Sequence, residues 1–294
     1  MNVKLNKIDW PFSSKSKYYK FFFHNWHLQD IGTNKKPIVL LIHGTGASTH
    51  SWRLLIPFLL KNFRVINIDL PGHGFTKIGS KNRSSLKYIP EDMHNLLKYL
   101  EIEPEIIIAH SAGVPIAINY ALISHKSPKL IISINGAVSK FDGVANIFFP
   151  IFAKILSISP FVSNVVKSLL KSSKVLDDFI YSTGSTLDQE SKRYYKTLLS
   201  NTEHINGILT MISQWNLNDL LENFDDLNIP ILFLLGENDK TVKPQSVINF
   251  VKRFNNVETK LVRKYGHLMH EESPEIIYHH IKIFLLSKNY NLYE

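Results

Sequence analysis

Short apolar runs recur along the chain at intervals that predict the strands of one buried sheet. Runs of this length in which apolar residues dominate are typical of strands that are covered on both faces. They occupy residues 37–42, 63–68, 106–108, 130–135 and 229–235. Residues 257–263 alternate between apolar and polar positions and predict a final edge strand, and residues 244–254 predict a helix before it. The pattern therefore indicates an α/β fold with a mostly parallel, twisted sheet and helices packed on it.

A long stretch between the fourth and fifth of these runs has no strand pattern and predicts helices. We therefore expect a core made of residues 1–137 and 226–294, interrupted by a helical insertion over residues 138–225. Within the insertion, residues 144–166 are unusually apolar. A transmembrane helix needs about 20 consecutive apolar residues, so an interrupted segment is not expected to span a membrane. Three residues interrupt this one: Pro150, Lys154 and Pro160.

A serine lies at the sharpest junction of this pattern. The apolar run 106–108 leads into Ala109-His110-Ser111-Ala112-Gly113, and a helix-compatible segment follows at once. Such a turn needs small residues two positions before and after the serine, and Ala109 and Gly113 meet that need. The turn would raise the Ser111 hydroxyl above the sheet and aim the helix N-terminus at a developing oxyanion. Because similar turns also occur without chemistry, partners for Ser111 must be found.

Candidate partners follow the last two predicted strands. A turn after the fifth apolar run carries Glu237 and Asp239, and either carboxylate can serve as the acid. His267 comes directly after the predicted edge strand, whereas His270 begins a segment that resembles a helix entrance. Gly266 gives the backbone before His267 the freedom to turn the imidazole inward. Since loops at the carboxyl ends of parallel strands converge, these groups are expected to meet Ser111.

These features resemble the α/β-hydrolase family, whose nucleophile turn reads G-x-S-x-G and whose triad runs in the order Ser, acid, His. Ala109 stands here in place of the first glycine. The resemblance implies that Asp239 is the acid, and that the backbone amides of Thr45 and Ala112 form the oxyanion hole. His43 is expected to pin the loop around Thr45 by hydrogen bonds. The resemblance also implies that the helical insertion follows the sixth strand and forms a lid over the active site.

Composition and charge narrow the classes of partner. The 294 residues are 44% hydrophobic and 20% charged, which allows one large core. The absence of cysteine excludes disulfides and thiol catalysis, and the N-terminus has no apolar signal block, so a cytoplasmic protein is predicted. The net charge is +9, but only six of the 34 basic residues are arginine, and no nucleic-acid partner is expected. The 13 histidines show no H-E-x-x-H spacing, so neither a metal nor another cofactor is expected.

A narrower resemblance extends over nearly the whole chain. The sequence is similar to the magnesium-chelatase accessory proteins of bacteriochlorophyll biosynthesis, which have the α/β-hydrolase fold. The similarity is carried by residues 9–11, 43–53, 69–76, 110–113, 133–137, 183–188 and 238–242. The stretch 183–188 matters most, because lids differ widely among hydrolases. This resemblance implies a tetrapyrrole or a magnesium-chelatase subunit as a partner.

Two functional hypotheses follow. In the first, Ser111 attacks an ester or related acyl bond of a small apolar substrate, and His267 acts as general base and then general acid. In the second, the lid and pocket bind a tetrapyrrole or a chelatase subunit, and the triad takes no part. For either hypothesis, Phe148, Phe149 and Phe152 are the expected substrate contacts of the lid. Lysines around that segment permit peripheral contact with an anionic membrane, at about 1 kcal/mol each. They are Lys154, Lys167, Lys171 and Lys174.

Overall fold

A single mixed sheet of nine strands organises the chain. The computed structural model describes residues 9–138 and 173–292, without the Lys81 side chain. The strands are β1 Ser16–Phe21, β2 His24–Ile31, β3 Ile38–Ile42, β4 Arg64–Ile68, β5 Lys77–Ile78, β6 Ile106–His110, β7 Leu130–Ile134, β8 Ile231–Gly236 and β9 Val257–Val262. Their order in the sheet is β1-β2-β4-β3-β6-β7-β8-β9, and β5 pairs with β2.

Six neighbouring strands of this sheet are parallel, and their register aligns the loops that follow them. β4, β3, β6, β7, β8 and β9 pair in parallel, whereas β2 pairs antiparallel with β1, β4 and β5. In this register Ile42 lies beside Ala109, and Ile134 lies beside both His110 and Leu234. The carboxyl ends of β3, β6, β7 and β8 therefore open onto one edge of the sheet, where α/β proteins bind their ligands.

Ten α-helices lie in the described ranges. They are α1 Ile56–Leu59, α2 Tyr88–Tyr99, α3 Gly113–Ile123, α4 Ser173–Ser182, α5 Gln189–Leu199, α6 Thr202–Ser213, α7 Asn218–Glu222, α8 Pro244–Val251, α9 Met269–Glu272 and α10 Pro274–Ser287. Short 3₁₀ turns add to them, including Thr49–Trp52 after β3.

The central strands bury both of their faces, which explains their mostly apolar sequences. On β6, Ile106 and Ile108 join one apolar cluster, and Ile107 and Ala109 join the other. Side chains of α1 and α10 fill the first cluster, whereas those of α2, α3 and α8 fill the second. Because side chains alternate between the faces of a strand, each strand contributes to both clusters. The sheet thus forms the middle layer of a three-layer α/β fold.

The structure confirms the predicted fold class and extends it at one edge. All six strands predicted from the apolar pattern are present, and the predicted helix 244–254 ends at Val251. The hairpin of β1 and β2 was not predicted, because buried polar side chains such as His27 and Gln29 interrupt its apolar pattern. Seven strands precede the helical insertion in the chain, one more than expected, since Lys77–Ile78 forms an additional two-residue strand.

Helices α4 to α7 lie between β7 and β8 in the chain, within the range predicted for the insertion, and we use the name lid for residues 173–225, which pack at the carboxyl edge of the sheet. Leu176, Ile180, Leu187 and Tyr195 pack there against Ala47 and Leu268 of the core. Asp188 caps α5 by accepting a hydrogen bond from the Ser191 amide. The predicted lid contacts Phe148, Phe149 and Phe152 lie outside the described residues. Across the described ranges, no helix combines the length and apolar character that a membrane span requires.

Candidate active site

Ser111 lies at the apex of a strained turn between β6 and α3. Its φ angle is 51°, in the left-handed region that residues with a side chain rarely adopt. Three backbone hydrogen bonds hold it there, from Ser111 N to Ile134 O and from Val114 N and Ala137 N to Ser111 O. A Cβ atom on Gly113 would lie 2.5 Å from Ile42 O, so the position two residues after Ser111 must be glycine. The turn therefore has the geometry expected from its sequence.

Ser111, His267 and Asp239 form a continuous hydrogen-bonded chain. His267 Nδ1 lies 2.7 Å from Asp239 Oδ2, and His267 Nε2 lies 3.0 Å from Ser111 Oγ. Because a carboxylate only accepts, Nδ1 carries the proton, and the serine hydroxyl donates to Nε2. Asp239 Oδ1 accepts further hydrogen bonds from the amides of Thr241 and Val242. These bonds fix the carboxylate, which in turn fixes the tautomer and orientation of the imidazole.

The two alternative candidates lie elsewhere in these loops. Glu237 is exposed, and its Oε2 accepts a hydrogen bond from the Lys264 amide at 3.1 Å. His270 is fully buried between the rings of His110 and Trp52, and neither of its ring nitrogens has a partner among the described residues. Burial lowers the pKa of His270 to about 3. Neither residue is within hydrogen-bond distance of the Ser111 hydroxyl, so the geometry favours Asp239 and His267.

Two polar residues absent from the predicted site anchor the loop that carries His267. Asn135 Nδ2 donates to the carbonyl oxygens of Gly266 and His267, both at 2.9 Å, and its Oδ1 accepts from the Gly236 amide. His110 Nε2 donates to the same His267 carbonyl at 2.9 Å. Burial holds the pKa of His110 well below its ordinary value, so its ring stays neutral. A polar side chain directly after a buried strand, as in Asn135, is the sequence feature that could have indicated this role.

The expected oxyanion hole lies beside the serine turn. Thr45 and Ala112 both line the cavity above Ser111, and none of the described residues accepts a hydrogen bond from either backbone amide. Gly44 brings the loop close, since a Cβ atom there would lie 3.0 Å from Ser111 Cβ. His43 holds this loop, donating from Nδ1 to the Gly44 carbonyl at 2.8 Å. Unpaired amides near a nucleophile are the groups that stabilise a developing oxyanion.

His204 on lid helix α6 joins two glycine-rich loops of the core. Its Nδ1 accepts from the Gly74 amide at 3.1 Å, and its Nε2 donates to the Gly46 carbonyl at 3.2 Å. Gly46 has a φ angle of 80° and follows Thr45 directly. Burial lowers the pKa of His204 to about 4, which keeps the ring in the neutral form that this bridge needs. The sequence patterns did not indicate this contact between residues 46 and 204.

A second contact between lid and core, which we call the glycine seam, consists of residues 183–185 on the lid and residues 266–268 on the core. The Thr183 carbonyl accepts from the His267 amide at 3.3 Å and also from the Lys240 amide. Ser185 Oγ accepts from the Leu268 amide at 2.8 Å. A Cβ atom on Gly266 would lie 2.2 Å from the Gly184 carbonyl carbon, so two backbones touch here. The lid thus contacts both the acid and the histidine loops.

A buried charged cluster forms a third link between lid and core. Arg53 donates to Glu271 Oε2 at 3.2 Å and to Ser191 Oγ at 2.5 Å, and Tyr195 donates to Glu271 Oε1 at 2.7 Å. Ser191 and Tyr195 belong to α5, whereas Arg53 and Glu271 belong to the core. Burial raises the pKa of Glu271 to about 7 despite these donors. The cluster fixes α5 near the Tyr195 ring that lines the cavity.

The cavity above Ser111 has a volume of about 770 Å³. Ser111 and His267 lie at its floor, and helices α4 and α6 supply about half of its apolar lining residues. Within the described ranges, no group of three or more His, Asp or Glu side chains could hold a metal ion. A hydroxyl activated by an imidazole, two unpaired amides and an apolar cavity together can bind an acyl group and attack its carbonyl carbon.

Comparison with known proteins identifies relatives of the same fold. The family described as alpha/beta hydrolase fold matches residues 37–274. The magnesium-chelatase 30 kDa subunit of Rhodobacter capsulatus is 36% identical over 275 residues, which cover 94% of this chain and 96% of that protein.

Two solved structures extend the comparison to three dimensions. An alpha/beta hydrolase fold protein from Burkholderia ambifaria has a TM-score of 0.74 at 19% identity, covering 90% of this chain and 96% of that one. A Nitrososphaera gargenis structure from work on carboxylesterases has a TM-score of 0.72 at 21% identity, covering 92% and 97%. At these identities both structures establish the fold and nothing finer.

Proposed function

Since the chain belongs to the alpha/beta hydrolase fold family, we propose that it is a serine hydrolase that cleaves an ester or related acyl bond of an apolar substrate. The observation that supports this proposal most is the hydrogen-bonded chain from Ser111 through His267 to Asp239 at the floor of an apolar cavity. The strained φ angle of Ser111 adds support, because strain of this kind is retained where function requires it.

The proposed reaction has two steps. The Ser111 oxygen attacks the acyl carbon while His267 Nε2 takes the hydroxyl proton, and the amides of Thr45 and Ala112 donate to the oxyanion. His267 then gives the proton to the leaving alcohol, which departs and leaves an acyl-enzyme. Water, deprotonated by the same nitrogen, attacks the acyl-enzyme, the bond between the acyl carbon and Ser111 Oγ breaks, and His267 returns the proton to that oxygen as the acid leaves. Asp239 stabilises the imidazolium in both steps and keeps its proton on Nδ1.

Labelling with a fluorophosphonate probe tests this proposal. Ser111 Oγ would bond to phosphorus, the P–F bond would break, and the hydroxyl proton would pass to His267 as fluoride leaves. We expect the wild-type protein to be labelled and the Ser111→Ala variant to remain unlabelled. Ser14→Ala is the matched control. Because Ser14 is exposed and far in sequence from the candidate site, this variant should be labelled to the same extent as the wild-type protein. An unlabelled wild-type protein, shown to be folded by circular dichroism, would contradict the proposal.

A second function is supported by the relative from Rhodobacter capsulatus, whose name makes it a magnesium-chelatase subunit. We propose as the alternative that this chain assists a magnesium chelatase in bacteriochlorophyll synthesis by binding a tetrapyrrole or another chelatase subunit in the same cavity. Trp215 lines that cavity and gives a readout. Under this alternative, micromolar protoporphyrin quenches tryptophan fluorescence in the wild-type protein, and Trp215→Phe removes most of the quenching. Quenching that is unchanged in Trp215→Phe, or absent in the wild-type protein, would contradict binding in this cavity.

A further inference from the structure

The walls of the cavity carry no formal charge among the described residues. Its lining contains no Lys, Arg, Asp or Glu side chain, although one residue in five of the whole chain is charged. Apart from the imidazoles of His110 and His267 and the indole of Trp215, the described polar groups of the lining are hydroxyls and amides, such as those of Ser182, Asn216 and Thr241. Such groups can donate or accept a hydrogen bond, but they cannot neutralise a buried ion.

Two titratable side chains in the lining also remain neutral. Burial holds the pKa of His110 well below its ordinary value and the pKa of Tyr195 well above its ordinary value. Behind the lining, Arg53 and Glu271 pair with each other beside the Tyr195 hydroxyl, and the Asp239 carboxylate is bonded to His267. No described cation of the wall can therefore compensate a carboxylate inside the cavity.

One face of α6 forms a continuous apolar wall. Its residues follow the i, i+3, i+4, i+7 spacing that places side chains on one helix face. They are Ile205, Ile208, Leu209 and Ile212, and all four line the cavity. Two residues of the same helix fix it to the core, because Gly207 contacts the Gly72 backbone and His204 bridges the glycine-rich loops. The wall is thus held in place, and it cannot turn a polar face toward the substrate.

We infer that the site takes esters whose groups inside the cavity are uncharged and apolar, and that it excludes substrates with an ionised carboxylate there. This inference rests on the proposed function, since it names the substrate class of the same site. An unpaired charge buried against apolar walls loses its hydration without compensation, at a cost of several powers of ten in affinity. The ester bond itself is neutral and needs only the two oxyanion amides.

A pair of fluorophosphonates tests the inference without assuming which side of the ester enters the cavity. One probe carries an octyl chain, and the other carries a chain of the same length that ends in a carboxylate. At pH 7.5 we expect the octyl probe to label the wild-type protein about a hundredfold faster or more. Equal labelling rates would overturn the inference while leaving the serine hydrolase proposal intact. Failure of both probes to label would instead contradict the proposed function.

Substitution of the wall gives the reciprocal test. Ile208 is half-buried, and its side chain approaches Gly46 of the oxyanion loop. In Ile208→Arg, a guanidinium in the wall should reduce the preference for the octyl probe at least tenfold, because it pairs with the carboxylate. Ile283→Arg is the matched control, since Ile283 is 51% exposed on α10, and it should keep the wild-type preference. A folded Ile208→Arg protein with unchanged preference would place the probe chain away from this wall and overturn the inference.

Discussion

Ser111, Asp239 and His267 lie on loops that leave β6, β8 and β9, whereas Tyr195, His204 and Ile208 lie on helices of the lid. The positions of these loops are set by the parallel sheet, because its register brings the carboxyl ends of the strands together. The lid helices meet these loops through backbone contacts and a few buried polar side chains. The groups proposed for chemistry are therefore positioned by the sheet, whereas the lid is positioned by contacts between residues far apart in sequence.

The largest expected effect comes from substitution of Asp239, which follows β8 and is proposed to act through His267 without contacting the substrate. In Asp239→Asn, the amide oxygen can still accept from Thr241 and Val242, but the wrong tautomer of His267 is favoured. We expect kcat for a p-nitrophenyl ester to fall about 10⁴-fold. Glu237→Gln is the matched control and should change kcat less than about twofold, because its carboxylate is exposed. Similar losses in both variants would contradict the role given to Asp239.

A smaller effect is expected from the glycine seam. In Gly266→Ala, the new Cβ atom would lie 2.2 Å from the Gly184 carbonyl carbon, so the lid or the His267 loop must shift. A displacement of about 1 Å in a catalytic group costs about a hundredfold in rate, and we expect kcat/KM to fall by that factor. Overpacking should also lower the free energy of unfolding by about 1–3 kcal/mol.

Gly207→Ala separates these two effects of Gly266→Ala. Its Cβ atom would lie 2.0 Å from Gly72 O, so the steric damage is comparable, but the contact is away from His267. We expect a similar loss of unfolding free energy in urea and a smaller loss of fluorophosphonate labelling rate. If both variants label equally slowly, the glycine seam has no special influence on the histidine.

The smallest expected effect concerns His204 and the oxyanion loop. His204→Phe removes the hydrogen bonds to Gly46 and Gly74, and we expect kcat to fall about tenfold with little change in KM, since a displaced donor costs less than a deleted one. His204→Gln keeps a donor and an acceptor and should recover part of the loss. A rise in KM alone, or no recovery by glutamine, would contradict the positioning role.

The acid dependence of stability gives an independent readout of the same bridge. Because burial lowers the pKa of His204 from 6.5 to about 4, the folded state binds fewer protons than the unfolded state between these values. The stabilisation by the bridge is therefore complete above pH 6.5 and is lost as the pH falls through about 4. The difference in unfolding free energy between wild type and His204→Phe should shrink over this range.

Sequence patterns were sufficient to predict the central strands and the candidate residues that follow them. Strands buried on both faces are mostly apolar, so β3, β4, β6, β7 and β8 were visible as short runs in which apolar residues dominate. Chain order and strand-end position then brought Ser111, Asp239 and His267 together as candidates. Their catalytic roles stay a prediction, as does the division of the chain at residues 137 and 226.

The contacts of the lid could not be derived in the same way. Gly184 and Gly266 meet because two backbones touch, and no periodicity links positions 82 residues apart. His204 and Gly46 are likewise joined only by the tertiary fold. The apolar face of α6 is different, since its i, i+3, i+4, i+7 spacing can be read from the sequence. Phe148, Phe149 and Phe152 remain predicted lid contacts.

The contact of Gly184 with Gly266 restricts how this protein can be recombined with others. A chimera that takes residues 138–225 from another hydrolase would bring a foreign side chain against the Asn238 carbonyl, beside the Gly266 loop, unless the donor also carries glycine at the position of Gly184. The same holds for Gly207 against Gly72. Lid and core therefore have to be exchanged together with both glycine pairs. A substitution at any one of these four positions would be constrained by its partner in space and not by its neighbours in sequence.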